Sequence, residues 1–99
     1  MPDFRTFESE VRRREILAAL ASDPDYTINE ALLRRVLREQ GIGTSADQLR
    51  ADLAWLQEQG LIRLRELGEV QIATALERGV DIATGAAQVP GVARPEPGR

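Results

Sequence analysis

The chain has 99 residues, 42% of them hydrophobic and 29% charged, with a formal net charge of −3, the balance of an ordinary globular domain with one modest core. It contains no cysteine and no histidine, which excludes disulfides, thiolate and imidazole metal sites, and any Cys–His or Ser–His catalytic pair. No acidic loop is spaced for an all-oxygen metal site, no cofactor or enzyme motif is present, no run approaches the ~18 apolar residues of a membrane span, and no basic region leads into an apolar leader, so the expectation is a non-enzymatic cytoplasmic protein without metal, cofactor or membrane contact.

The first helix is expected over residues 3–21, ended by Ser22-Asp23-Pro24-Asp25. At about 100° per residue, Phe4, Phe7 and Val11 share one face and Ile16, Leu17 and Leu20 lie nearly opposite. Either the helix is straight and the phenylalanine face covers something outside the domain, or a break near Ser9 realigns the two stripes. A second helix starts at Thr27, which with Glu30 fits a capping box, Tyr26 stapling its start. Ile28, Leu32, Leu33 and Val36 form its buried face, Arg34, Arg35 and Arg38 the other, and Gly41 ends it. The third helix covers residues 46–59, capped by Ser45 with Gln48, and carries a Leu49, Leu53, Leu56 core stripe. Trp55 sits beside that stripe, either at the core edge under the strands that follow or as an interface anchor.

Two strands are expected at residues 61–65 and 70–73, joined by Glu66-Leu67-Gly68-Glu69. Thr74 and Glu77 form a third capping box and open a short helix, weakened by Gly79 and stopped by Gly85. The folded domain is thus expected over residues 1–87. Residues 88–99, rich in proline and glycine, read as an extended or disordered tail.

Three helices, a two-stranded hairpin and a short fourth helix make a mainly α fold of winged helix-turn-helix type. The stretch from Leu49 through Trp55 and Gly60 to Ile62 resembles the recognition helix and wing entry of ArsR- and MarR-type bacterial regulators. Together with Arg13-Arg14-Glu15-Ile16-Leu17, Asp23-Pro24-Asp25-Tyr26, Glu77-Arg78-Gly79-Val80-Asp81 and Val89-Pro90-Gly91-Val92, it resembles small winged-helix proteins of Mu-like phages and prophages, often labelled ArsR-like transcriptional regulators. That resemblance implies double-stranded DNA as partner, a role inside the bacterial host cell, and dimerisation through a terminal helix. Without Cys or His, a metal-sensing switch of the ArsR kind is excluded.

In such a fold the third helix enters the major groove. Gln48 and Arg50 are its candidate base contacts, and Thr44 and Ser45 stand at its start for phosphate. Arg34 and Arg38 on the second helix and Arg63 and Arg65 on the first wing strand are candidates for backbone contact. The outward side of the third helix also carries Asp47 and Glu58, which repel phosphate. Two readings follow. One is a DNA-binding regulator, dimeric through Phe4, Phe7 and Val11. The other is a winged-helix protein-interaction module in phage assembly or DNA packaging. The arginines have a blander alternative as well, a solvated surface paired with Glu8, Glu10, Glu30, Glu39, Glu66 and Glu69.

Overall fold

Asp3 begins the first helix by accepting the Thr6 backbone N–H at 2.9 Å, and these bonds hold its carboxyl below the ordinary carboxylate range. In the computed structural model, which describes residues 3–96, the elements run α1 (Phe4–Ser22), β1 (Thr27–Asn29), α2 (Glu30–Glu39), α3 (Ala46–Glu58), β2 (Ile62–Leu67), β3 (Val70–Ala75) and α4 (Glu77–Thr84). α1 is continuous through Ser9, so its two apolar stripes stay opposed. Ile16, Leu17 and Leu20 are buried, whereas Phe4 is 72% and Phe7 55% exposed, and Val11 is half-buried.

The sheet corrects the expected two-stranded hairpin. It has three antiparallel strands in the order β1-β3-β2. Thr27 does not cap α2; it pairs with Thr74, and the two hydroxyls meet at 2.9 Å. The cause lies upstream, where the Asp23 carboxylate accepts the N–H groups of Asp25 and Thr27 in an Asx-type turn. Tyr26, in the left-handed region at φ 56, is 44% exposed rather than stapling the helix, and its carbonyl accepts the Ala75 N–H. Asn29 is the cap instead, its side chain accepting the Leu32 N–H at 2.8 Å. Starting α2 two residues later buries Leu33 and Leu37 and leaves Leu32 48% exposed. Ile28 faces the core from the strand.

β2 and β3 continue to a tight hairpin in which Leu67 pairs with Val70. Gly68 opens the two-residue loop at φ 64, the backbone that follows the right-handed twist of the strands. The longer β3 takes Thr74 into the ladder, opposite Arg63. α4 therefore starts after Leu76 with no side-chain cap, and the Leu76 N–H donates to the Leu61 carbonyl. Gly79 has a packing reason within α4: a Cβ there would overlap the Leu61 carbonyl oxygen and touch Leu17. Its helix cost is offset by the close approach it permits.

The core joins all the helices, with Ile16, Leu17 and Leu20 of α1 against Leu33 and Leu37 of α2 and Leu49, Leu53 and Leu56 of α3. Leu61, Ile62, Ala73, Ala75 and Ile82 close it. The domain does not stop at residue 87. Residues 88–96 form no regular element, yet Val89 and Val92 pack on the core. The Ala93 N–H donates to the Glu10 carbonyl, and Arg14 Nη1 donates to the Arg94 carbonyl at 3.1 Å. Apolar contact and these backbone bonds hold a segment that local composition reads as unstructured. Residues 1–2 and 97–99, the ends of the expected domain and tail, lie outside the described residues.

Candidate nucleic-acid interface

α2, its glycine-bearing connection and α3 form a helix-turn-helix, with β2 and β3 standing beside α3 as a wing. Ser45 caps α3 as its sequence suggests: Ser45 Oγ accepts the Gln48 N–H and Gln48 Oε1 accepts the Ser45 N–H, each at 3.1 Å. Both side chains are thereby occupied in the capping box. The Thr44 hydroxyl donates to the Ile42 carbonyl, and the Thr44 carbonyl accepts Arg34 Nε at 3.2 Å. Arg34 is half-buried there and ties α2 to the entry of α3.

Arg50 projects from the outer side of α3, exposed but already engaged within the protein. Its guanidinium donates to both oxygens of Glu30 at 2.8 and 2.7 Å and to the Glu69 carbonyl at 2.8 Å. Glu30 also accepts the Gln71 N–H. One carboxylate thus joins the start of α2, the middle of α3 and the wing. The bidentate arginine holds the Glu30 carboxyl below its ordinary range, and Glu30 in turn raises the Arg50 guanidinium.

The wing arginines differ. Arg63 and Arg65 are exposed and, among the described residues, form no ion pair. They share the outward sheet face with Leu67, 67% exposed, and Val70, 39% exposed. Arg38 is likewise exposed without an ion pair, one turn beyond Arg34. The structure therefore gathers Thr44, Ser45, Gln48 and Arg34 at the start of α3, places Arg50 against the turn of the wing, and sets Arg63 and Arg65 on the wing. The remaining outer side of α3 offers Asp47, Ala51, Ala54 and Glu58, all exposed.

The expected surface pairing of arginines holds for Arg50 with Glu30 and for Arg35 with Glu39 at 3.8 Å. It fails for α1. Arg12 and Arg13 both donate to Asp52, the former through Nε to Oδ2 and the latter through Nε to Oδ1 at 3.0 Å, and Asp52 is 3% exposed. Asp52 is absent from the candidate residues that the sequence offers, although it carries a signal. Leu49, Asp52, Leu53 and Leu56 follow the spacing of one helix face, and a carboxylate on a core face requires a cation. Trp55 is half-buried at the core edge. Arg13 stacks 4.2 Å above its ring and also donates to the Gly91 carbonyl, and Gly91 itself lies against the indole. The back of α3 is thus pinned to α1 while its front faces solvent.

No helix among the described residues is long and apolar enough to cross a membrane. No family model matches the chain. The uncharacterized protein gp26 of Escherichia phage Mu is 38% identical over 89 residues, which span 90% of this chain and 92% of gp26. Among solved structures, RosR of H. salinarum superposes with a TM-score of 0.64 at 19% identity, covering 74% of this chain and 66% of RosR. The RosR–S1 complex gives 0.63 at 19% identity, covering 73% and 63%. This chain spans just under two thirds of the RosR length, and at that identity the likeness is one of fold, a winged-helix-like arrangement of helices and a small antiparallel sheet.

Proposed function

The chain belongs to the family of the phage Mu protein gp26, and from that premise we propose that it is a phage-encoded winged-helix protein that binds double-stranded DNA as a transcriptional regulator in the host cytoplasm. The observation that carries this reading is the pair of exposed, unpaired wing arginines, Arg63 and Arg65, standing beside a helix-turn-helix. Winged and helix-turn-helix folds dock on DNA with the second helix of the motif in the major groove. Ser45, Gln48 and Arg50 are engaged within the protein, so recognition leans on phosphate contacts, which position the protein and carry little sequence information. The protein acts as a homodimer through α1, which sets two copies on two half-sites. It needs no metal or cofactor and has no catalytic role.

The test is a mobility-shift titration of duplex DNA over a range of salt concentrations. Binding that weakens steeply with salt is expected, with a slope that falls by about 0.9 for each phosphate contact removed. Arg63→Ala with Arg65→Ala lowers both affinity and slope, while Arg50→Ala leaves the slope unchanged. Absence of binding to any duplex at low salt overturns the regulator reading. It favours a protein-interaction module in phage assembly or packaging, a reading supported by the acidic Asp47 and Glu58 on the outer side of α3.

A further inference from the structure

We propose that the recess between α1, α2 and α4 binds a small organic carboxylate with an aliphatic body, held by Arg14. This goes beyond the DNA-binding reading and stands on different residues. The recess has a volume of about 690 Å³ and is walled on its apolar side by Ala18, Ala19, Ile28, Val36 and Ala83. Small-molecule sites span roughly 300–1,000 Å³ and are mostly apolar, with a few placed polar groups. The three alanines stand where larger side chains would close the gap between the helices.

The placed polar group is Arg14, which lines the same recess. It is 9% exposed, and its Nε is buried without a hydrogen-bond partner. Nη1 is used on the Arg94 carbonyl. Nη2 lies 3.7 Å from Glu15 Oε1 and 3.7 Å from Glu96 Oε1, too far for a hydrogen bond. Nε and Nη2 form one edge of the guanidinium plane, and that edge matches the two oxygens of a carboxylate. Other arginines of this chain show the edge in use. Arg50 lays it on Glu30 at 2.8 and 2.7 Å, and Arg12 and Arg13 each give Nε to Asp52. Leaving a buried donor unmet is costly. Arg14 is thus a buried cation whose fork edge borders a recess and is not matched by the protein itself.

The wall selects the ligand. A planar carboxylate supplies two acceptor oxygens in the spacing the fork requires. Glu15 and Glu96 already offset the Arg14 charge, so the incoming carboxylate takes the place of Glu96 and adds no third negative group. Glu96 is the replaceable one, with its side chain 62% exposed, whereas Glu15 is 5% exposed. The aliphatic body then lies along the alanines, Ile28 and Val36, a surface on which inorganic phosphate gains nothing. Val36 belongs to α2, so a bound molecule touches the first helix of the helix-turn-helix directly.

The experiment is calorimetric titration of the full chain with sodium octanoate, paired with NMR of the arginine Nε–H signals. Saturable one-to-one binding is expected, with the Arg14 Nε–H resonance moving as the site fills. Each methylene added from butanoate to octanoate tightens binding about threefold, the effect of burying one more CH₂. Octan-1-ol, which has the chain without the carboxylate, binds at least about tenfold more weakly. Glu96→Gln tightens octanoate about twofold by removing the side chain it displaces. Arg14→Lys keeps the charge, gives up the fork and weakens binding at least about tenfold. Because Arg14 also holds the Arg94 carbonyl, Ala18→Leu tests the site from its wall. Its added side chain fills the recess at a half-buried position and abolishes binding, with the helical circular dichroism retained. No saturable binding of octanoate up to about 10 mM overturns the inference. So does octan-1-ol matching octanoate, or binding that survives Ala18→Leu unchanged. Inorganic phosphate that moves the Arg14 signal as octanoate does overturns the aliphatic class.

Discussion

On the side of α3 that meets α1, Asp52 is 3% exposed and receives Arg12 and Arg13. On the opposite side, Arg50 stands 45% exposed and grips Glu30. Both are arginine–carboxylate clusters on one helix, yet solvent gives them different work. In the dry cluster a missing partner strands a charge away from water, so the cluster fixes how α3 sits on α1. In the wet one, water and salt screen the attraction, so the pair mainly sets the charge and stiffness of the outward surface. One helix is anchored by its back and adjustable at its front.

The strongest way to break this comparison is Asp52→Ala, which leaves two guanidinium groups without their carboxylate. It is expected to cost about 3–5 kcal/mol, seen as a large fall in the thermal midpoint, and Asp52→Asn to be nearly as severe because the loss is of charge rather than shape. A change below about 1 kcal/mol would place this cluster in the class of surface pairs. Gly79→Ala serves as a control from packing alone. The new Cβ meets the Leu61 carbonyl and is expected to cost about 2–3 kcal/mol, with a loss that does not vary with salt or pH.

The outward pair is sharpened by acid. Glu30 is held below its ordinary value of 4.5 by Arg50, so the folded state binds its proton less readily than the unfolded chain. The stabilisation is therefore complete above that ordinary value and is lost as pH falls through the lower folded value. Arg50→Gln should melt below the wild type at neutral pH and converge with it in acid. An NMR titration should show Glu30 moving up toward its ordinary value. Added salt should narrow the neutral-pH gap, whereas the deficit of Asp52→Ala should persist. The smallest expected effect is that of Arg13→Lys, which keeps the charge near Asp52 but gives up the planar stack on Trp55. About 0.5–1 kcal/mol is expected, with a change in tryptophan fluorescence as the companion readout.

Much of the scaffold was legible because its signals are local. The Ser45–Gln48 capping box, the Leu49, Leu53, Leu56 stripe and the stop at Gly85 appear where the residues place them. The opposed stripes of α1 foretold exposed Phe4 and Phe7 if the helix stayed straight, and it does. The candidate site was legible only as a set of residue types. Gln48, Ser45 and Thr44 suit nucleic acid by residue type and here also bond to their neighbours, a competition for short polar side chains that residue type does not resolve. Arg50 is a base-contact candidate by residue type, and the carboxylate it pairs with lies twenty positions away.

What the sequence determined by itself is whatever closes within a few residues with no competing partner: the start of α3 at Ser45, the stop of α4 at Gly85, the hairpin turn at Gly68, and the alternation of buried and open faces. Those rest on backbone geometry and on side chains reaching their own turn. Tertiary structure alone decided the rest. Thr27 and Thr74 both carry cap chemistry, yet they pair with each other across 47 positions, because an open β3 edge offers the backbone a whole ladder where a cap offers one bond. Asp52 and Arg12 meet across 40 positions, since a carboxylate on a core face must find whatever cation the packing brings. Residues 88–96 are held by valines and backbone groups whose partners lie on α1 and α3. In each case the winning contact depends on which surfaces the fold brings together, and that is not written in local sequence.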